Sequence, residues 1–195
     1  MIKKNFDIRS GAPVSKLFLD RKITTFADAC EFIKNLPYGR NENKNDLRTV
    51  FTDKCGTCST KHALLRQVAI ENNADNVRLI LGVFKMTGDN TPEVADTLKK
   101  YDLQYIPEAH NYLTVDGEIV DCTKRNSSKN DFVADLLSEI EIEPNQITEF
   151  KVSYHQAVLK DWLLNNSDNT FDFADLWAIR EECIVDLSDS SNINR

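Results

Sequence analysis

Residues 53–65 read DKCGTCSTKHALL, and the interpretation of the whole chain starts from this stretch. Cys55 and Cys58 have the C-x-x-C spacing of a thiol-disulfide exchanger. A helix that begins at Cys58 is also a way to mount a cysteine nucleophile, because a helix N-terminus lowers the pKa of a thiol and offers backbone N–H groups to an oxyanion. The residues that follow predict a mostly apolar, buried helix that ends near Asn72.

A second informative stretch is HNYLTVDGEIVDCT at residues 110–123. Polar and apolar residues alternate around Asp116-Gly117, which is a strong signal for a β-hairpin. Antiparallel pairing, in a register centred between Val115 and Asp116, brings His110 near Asp121 at the open end of the hairpin. An aspartate at position 121 also suits an Asx turn that bonds to Thr123.

The histidines decide which chemistry the cysteines can perform. A cysteine nucleophile needs an imidazole that keeps it as thiolate, and that imidazole needs a carboxylate or amide that fixes its tautomer. Of the three histidines, His62 would run along the surface of the Cys58 helix, and His155 is expected to be a packed or surface residue of a late helix. His110, next to Asp121, is therefore the expected base, with Asp121 orienting it.

The order of these motifs resembles the transglutaminase-like core of the papain-like superfamily. GTCSTKHALL, then a strand, then HNYLTVDGEIVDCT carry the resemblance, over about residues 54–124. It implies that Cys58 is the nucleophile, His110 the general base and acid, and Asp121 the residue that orients the imidazole. The implied activity is acyl transfer or hydrolysis at an amide bond of a peptide, small amide or protein, with no metal or organic cofactor.

The resemblance leaves the second oxyanion donor unassigned, because Thr52, Asp53 and Lys54 stand where members of the superfamily often carry an aromatic or amide donor. A nearby loop offers four candidates by chemistry alone. These are Tyr38, Asn41, Asn43 and Asn45. Arg40, in the same loop, is a candidate for binding a substrate carboxylate.

Three alternatives stay open at the level of sequence. The order C-G-T-C, helix, strand, Ile-Pro and hairpin also fits a thioredoxin-like thiol-disulfide oxidoreductase that uses Cys55 and Cys58, with Pro107 as its cis-proline. A zinc site has acceptable ligand types in Cys55, Cys58, Cys122 and His110, but no second short-spaced pair. A catalytically inactive binding scaffold of the same fold would keep Cys58 and His110 as packed residues.

Composition restricts the class of protein and of partner. The chain has 195 residues, of which 41% are hydrophobic and 28% charged, and its net charge of -7 disfavours nucleic acid as a partner. No apolar run approaches the ~20 residues needed to cross a membrane, and the N-terminus lacks a signal-peptide core, so we expect a cytoplasmic protein that does not bind membranes. Five mostly scattered cysteines do not suggest a disulfide framework, and Cys122 and Cys183 are expected in the core.

The chain is expected to form a single α+β domain over residues 1–195. Residues 1–53 form an N-terminal wrap and a helix capped by Thr25, residues 54–124 the catalytic-type core, and residues 125–195 a helical cover with a frayed tail at 188–195. The expected core is papain-like or transglutaminase-like, with the cysteine-bearing helix packed on a small antiparallel sheet. The helical C-terminal half contains predicted helices around 132–140, 150–162 and 173–184.

Overall fold

Seven α-helices and four β-strands occur in residues 5–166 and 170–193, the part of the chain that this computed structural model describes. The helices are α1 (Pro13–Leu19), α2 (Phe26–Asn35), α3 (Thr49–Thr52), α4 (Cys58–Glu71), α5 (Ala95–Lys100), α6 (Glu149–Asn165) and α7 (Phe173–Ile193). The strands are β1 (Val77–Met86), β2 (Ile106–Val115), β3 (Glu118–Val120) and β4 (Leu136–Ile142). Short 3-10 turns occur at Pro92–Val94, Lys129–Asp131, Val133–Asp135 and Pro144–Gln146. None of the helices in the described residues is long and apolar enough to span a membrane.

The four strands form one antiparallel sheet in the order β3-β2-β1-β4. Alternate residues of a strand point to opposite faces, so Leu79 and Leu81 of β1 lie in the core beside α4, whereas Met86 lies in a second cluster with residues of α7. The protein is therefore an α+β domain with a small antiparallel sheet, and the cysteine-bearing helix α4 packs on that sheet, as the sequence predicted.

Helix α4 is buried because α1, α2 and α3 pack against it as well as β1 and β2. Even Lys61 in its second turn has no exposed surface. Lys61 Nζ donates to the carbonyl oxygens of Leu36, at 2.5 Å, and Thr123, at 2.7 Å. Burial lowers the pKa of Lys61 to about 8. These bonds tie the segment after β3 to the start of α4, which is where the candidate site lies.

The Asp116-Gly117 turn joins β2 to β3 as predicted. Both residues have positive φ angles, 52° and 82°, which is the conformation that a two-residue type I′ turn requires. The pairing of Leu113 with Val120 centres the hairpin between Asp116 and Gly117. The expected centre, between Val115 and Asp116, was wrong by one position because the turn uses both of its central residues.

Residues 132–142 correct the prediction of a helix over 132–140. Strand β4 begins at Leu136, and its residues pair with β1, with Ile140 opposite Leu81 and Ile142 opposite Leu79. The segment LLSEIEI satisfies both a helical and an alternating pattern, and the unpaired edge of β1 favours the strand because backbone N–H and C=O groups there need partners. Among the described residues, the α-helices of the C-terminal half are thus α6 and α7.

The remaining helix predictions compare well with the structure. Thr25 caps α2 by accepting the Asp28 N–H at 3.2 Å, and α6 and α7 cover the predicted ranges. Residues 1–53 contain two helices that were not predicted, α1, which begins at Pro13 and buries Phe18, and the short α3. Of the predicted frayed tail, backbone is described to Ile193 and side chains to Ser188, and the rest lies outside the described residues.

Candidate active site

Cys58 is the first residue of α4, and a capping box determines that the helix starts there. The Thr57 side chain accepts the Thr60 N–H, while Thr60 Oγ1 accepts the Thr57 N–H at 3.0 Å. Gly56 precedes the cap because a Cβ at this position would lie 2.9 Å from atoms of Thr60 and Lys61. The Cys58 N–H has no acceptor within the helix at this position, and its side chain is 7% exposed.

His110 and Asp121 meet as the hairpin predicted. His110 Nε2 lies 3.1 Å from Asp121 Oδ2, and the Thr123 N–H donates to Asp121 Oδ1 at 2.8 Å, which is the expected Asx turn. Asp121 follows the last residue of β3, so it reaches His110 as a diagonal neighbour across the hairpin. Burial raises the pKa of the Asp121 carboxyl, but His110 outweighs burial and holds that pKa well below its usual range.

Cys58 and His110 border the same cavity, and each is among the groups that shift the pKa of the other. Asp121 Oδ2 is adjacent to His110 Nε2, which leaves Nδ1 as the ring nitrogen for an exchange with the thiol. Burial raises the pKa of Cys58, but Lys151 and His110 outweigh burial and hold that pKa well below its ordinary value. Burial lowers the pKa of His110, but Asp121 and then Cys58 raise it to about 10. The two shifts together describe a thiolate beside an imidazolium at neutral pH.

Lys151, on α6, is the residue of this cluster that sequence reasoning missed. Its Nζ lies 3.7 Å from Cys58 Sγ and donates to Ser59 Oγ at 2.8 Å and to Asn111 Oδ1 at 2.9 Å. The side chain is buried although lysines usually are not. The one signal in the sequence is spacing, because Lys151 shares a helical face with His155, which is also buried.

Among the four candidate oxyanion donors, Tyr38 lines both cavities beside Cys58. Burial raises the pKa of Tyr38, so its hydroxyl stays a donor at neutral pH. Asn41 instead organises its own loop, donating to Asp53 Oδ2 and to the Cys55 carbonyl oxygen. Asn43 and Asn45 are exposed, and the Asn43 side chain accepts the Asn45 N–H in a local turn.

Two cavities meet at Cys58. The first cavity, of about 300 Å³, is bordered by His110 and Asp121 and has apolar walls that include Phe84 and Phe132. The second cavity, of about 360 Å³, is bordered by polar side chains of the loop after α2 and of helices α6 and α7. Its charged lining residues are Arg40, Lys44, Glu108, Lys151, Arg180 and Glu181. The Cys58 sulfur is thus accessible from spaces of different chemistry.

A buried ion pair stands beside the second cavity. Arg180 donates to both carboxylate oxygens of Glu108, at 2.6 and 2.8 Å. Burial raises the pKa of Glu108, but Arg180 outweighs burial and lowers it to about 2. Arg40 pairs with Glu181 at 2.5 Å. His155 is a satisfied core histidine, as expected, since its Nε2 donates to the Pro107 carbonyl oxygen at 2.8 Å.

A second cysteine–histidine pair lies behind Asp121. His62 has no exposed surface, and its Nδ1 lies 2.7 Å from the Cys58 carbonyl oxygen while its Nε2 accepts the Cys122 N–H at 2.7 Å. Both nitrogens of His62 are therefore occupied by backbone groups, which supports its exclusion as the base. Cys122 is buried as expected, and Cys30 is the first of the groups that lower its pKa.

The structure also bears on the zinc and thioredoxin alternatives. Within the described residues, no group of three or more His, Cys, Asp or Glu side chains is arranged to hold a metal ion. The residues before Cys55 form α3 and not a strand, and the peptide bond before Pro107 is trans, not cis as that alternative expected. Cys55 Sγ lies 3.9 Å from the Arg40 carbonyl oxygen.

Comparisons of the chain with protein-family models, with curated proteins and with solved structures found no match. A functional conclusion therefore depends on the geometry of Cys58, His110, Asp121 and Lys151.

Proposed function

We propose that the protein is a transglutaminase-like cysteine enzyme with a papain-like core, which transfers or hydrolyses the acyl group of an amide or peptide. The observation that carries the proposal is the cluster in which Cys58, His110 and Asp121 border one cavity, with His110 Nε2 3.1 Å from Asp121 Oδ2 and a second cavity on Cys58. Burying an imidazole, a carboxylate and an ammonium group around one sulfur costs desolvation free energy that a packed structural cysteine does not require.

In the first step, the Cys58 thiolate attacks the carbonyl carbon of the substrate. An S–C bond forms while the electron pair of the C=O π bond moves to the oxygen. His110 is protonated at neutral pH, because its pKa is raised to about 10, and it gives its Nδ1 proton to the departing nitrogen. The C–N bond breaks, the amine leaves with that proton, and a thioester remains on Cys58.

In the second step, neutral His110 accepts a proton from water or from an amine as that nucleophile attacks the thioester. The C–S bond then breaks and the Cys58 thiolate returns. Water gives hydrolysis, and an amine gives acyl transfer. Throughout both steps Asp121 accepts from His110 Nε2, so that Nδ1 stays directed toward the sulfur.

The negative charge that develops on the carbonyl oxygen has two donors in this proposal. The first is the Cys58 N–H at the start of the 14-residue helix α4, where the helix dipole also favours an anion. The second is the hydroxyl of Tyr38, which lines both cavities. Lys151, with its ammonium 3.7 Å from the sulfur, stabilises the thiolate before attack.

Peptide-resolved alkylation by iodoacetamide at pH 6 tests the proposal without a known substrate. We expect Cys58 to react roughly 10-fold or more faster than a free thiol of ordinary pKa, because at pH 6 such a thiol is almost wholly protonated. Cys58→Ala should eliminate the fast reaction and His110→Ala should slow it. Labelling of Cys58 no faster than that of a free thiol would contradict the enzyme and support an inactive scaffold.

Cys55→Ala is the matched control for the thiol-disulfide alternative. The proposed enzyme should keep its fast Cys58 labelling in this variant, because Cys55 takes no part in the acyl-transfer steps. An oxidoreductase would need both cysteines and would reduce insulin with dithiothreitol as the reductant. Insulin reduction by the wild-type protein that is lost in both Cys55→Ala and Cys58→Ala would replace the proposal.

A further inference from the structure

The second cavity carries an excess of positive charge in a protein whose net charge is -7. Four of its lining residues are cationic and two are carboxylates, and these six were named with the cavity above. We call this space the cationic cavity. The cationic side chains beside Cys58 create a positive electrostatic potential in this cavity, and that potential favours an anionic ligand.

The ion pairs within the cationic cavity leave two cations without a carboxylate partner among the described residues. Glu108 and Glu181 are matched by Arg180 and Arg40. Lys151 is held by neutral oxygen atoms, of Ser59 and Asn111. Lys151 also faces the Cys58 thiolate at 3.7 Å, so one positive charge, that of Lys44, is left for one negative group of a ligand to balance.

Lys44 is the cation at the edge of this cavity that is positioned to meet an incoming ligand. It is exposed, and no ion pair of Lys44 occurs in residues 5–166 and 170–193. Partial desolvation, followed by the charges of Arg40, Lys151 and Arg180, lowers the pKa of Lys44. Crowding of like charges around an exposed lysine is relieved when an anion binds.

The first cavity has the opposite character. Its one lysine, Lys124, pairs with Glu93 at 2.5 Å, and its lining includes the further carboxylates of Glu108, Asp121 and Asp131. Its other walls are largely apolar, with Phe84 and Phe132 among them. An amine, neutral or protonated, suits such a space better than an anion does.

The place of His110 determines which half of a substrate enters which cavity. His110 lines the first cavity and not the second. In the proposed reaction its imidazolium must reach the nitrogen that departs, so the amine half lies in the first cavity. The acyl half then extends from the carbonyl carbon to the other side of the sulfur, into the cationic cavity.

Resting on the proposed function, we infer that the acyl half of the substrate carries a carboxylate, which the cationic cavity binds through Lys44. The substrate class is thus an amide of a dicarboxylic or acidic amino-acid acyl group. Aldehydes are suitable probes because an aldehyde contains an acyl half and no amine half. Cys58 sulfur adds to the aldehyde carbon, the C=O π bond breaks, and the oxygen takes the proton held by His110, which gives a reversible hemithioacetal.

The experiment compares succinic semialdehyde with butanal, which have the same chain length but differ in the carboxylate. Each is titrated as a protector of Cys58 against iodoacetamide, and the alkylated peptide is quantified by mass spectrometry. We expect succinic semialdehyde to protect at a concentration about 10-fold lower than butanal does. Lys44→Met should remove most of this preference, because it deletes the charge and keeps most of the side-chain volume.

Two matched variants separate a local effect from a general one. Lys16→Met removes a lysine of α1 that pairs with Asp20 and lines neither cavity, and it should leave the preference unchanged. Lys124→Met removes the lysine of the first cavity and should change the preference less than Lys44→Met does. A larger effect of Lys124→Met would place the carboxylate on the amine side and overturn the inference.

Failure of the inference differs from failure of the proposed function. If Cys58 is alkylated rapidly but butanal protects as well as succinic semialdehyde, the enzyme stands and the anionic acyl group is excluded. If Cys58 is not alkylated rapidly, both fail together. If Lys16→Met removes the preference as fully as Lys44→Met, the effect is one of total charge and the inference is again excluded.

Discussion

The two cysteine–histidine pairs of this protein, Cys58–His110 and Cys122–His62, share Asp121 as a neighbour but differ in hydrogen bonding and access. Asp121 Oδ2 lies 3.1 Å from His110 Nε2, and Asp121 Oδ1 lies 3.5 Å from His62 Nε2. His62 uses both nitrogens on backbone groups, whereas His110 keeps one nitrogen for a sulfur that borders two cavities.

The comparison shows that a lowered thiol pKa does not by itself indicate a nucleophile. Cys30 lowers the pKa of Cys122, and burial opposes that shift. Cys122 is nevertheless enclosed in the core, so no substrate can reach its sulfur. Cys58 differs from Cys122 in two respects. A substrate can reach the Cys58 sulfur from a cavity, and the adjacent His110 has a nitrogen that can exchange a proton with that substrate.

The largest expected contrast is in the pH dependence of alkylation. The reactive form of Cys58 exists above its depressed pKa and below the pKa of His110 at about 10, so its labelling rate should change less than about 3-fold from pH 6 to 8. A free thiol of ordinary pKa becomes roughly 80-fold more ionised over that range. The alkylation rate of each cysteine-containing peptide is measured against pH in the native protein and in urea. In urea, Cys58 and Cys122 should both show the pH dependence of a free thiol. A steep native profile for Cys58 would refute the ion pair.

Replacing His110 and His62 one at a time should separate effects on the reactivity of Cys58 from effects on the stability of the fold. His110→Asn removes the imidazolium and should slow Cys58 labelling at pH 6 by about 30-fold. His62→Asn removes two buried hydrogen bonds and should lower the free energy of unfolding by about 2 kcal/mol, measured by urea denaturation. If His62→Asn remains folded and slows the labelling of Cys58 more than His110→Asn does, His62 is the base and the proposed role of His110 is wrong.

Asp121→Asn tests the residue that the two pairs share. Asp121 is the main group that raises the pKa of His110, so its loss lowers that pKa and lets the imidazolium lose its proton at a lower pH. Labelling of Cys58 at pH 6 should fall by about 10-fold in consequence. The asparagine can still accept the Thr123 N–H, so the Asx turn provides the control. Unchanged labelling in a folded variant would remove Asp121 from the site.

Lys151→Met should have a smaller effect on the Cys58–His110 pair. Deleting the ammonium leaves His110 as the main cation near the sulfur, so labelling at pH 6 should fall by about 3-fold. The side-chain volume is kept, and Lys160→Met, on the same helix, is the control. Equal rates in the two variants would show that Lys151 acts through packing alone.

The smallest effect is expected for Cys122→Ala. Loss of a buried sulfur should destabilise the fold by about 1 kcal/mol and leave the labelling of Cys58 unchanged. Urea denaturation and the alkylation rate measure the two quantities separately. A Cys58 rate that falls with this variant would show that the two pairs are coupled through Asp121.

Local signals were sufficient to predict the start of helix α4 at Cys58 and the hairpin that brings His110 to Asp121, because a capped helix start and a two-residue turn with positive φ are properties of a few neighbouring residues. The position of Cys58 relative to His110 depends instead on the packing of α4 against β2. Lys151 and strand β4 could not be predicted in this way. Lys151 is 93 positions from Cys58, and LLSEIEI fits two periodicities.

By itself, the sequence determined the start of the Cys58 helix, the Asp116-Gly117 hairpin and the α+β class, because these depend on short-range sterics and hydrogen bonds. Only the tertiary structure decided that β4 pairs with the edge of β1, that α6 brings Lys151 to the sulfur, and that Cys58 borders two cavities of unlike charge. Those features come from packing between segments far apart in the chain, where burial and unpaired backbone groups outweigh local preference.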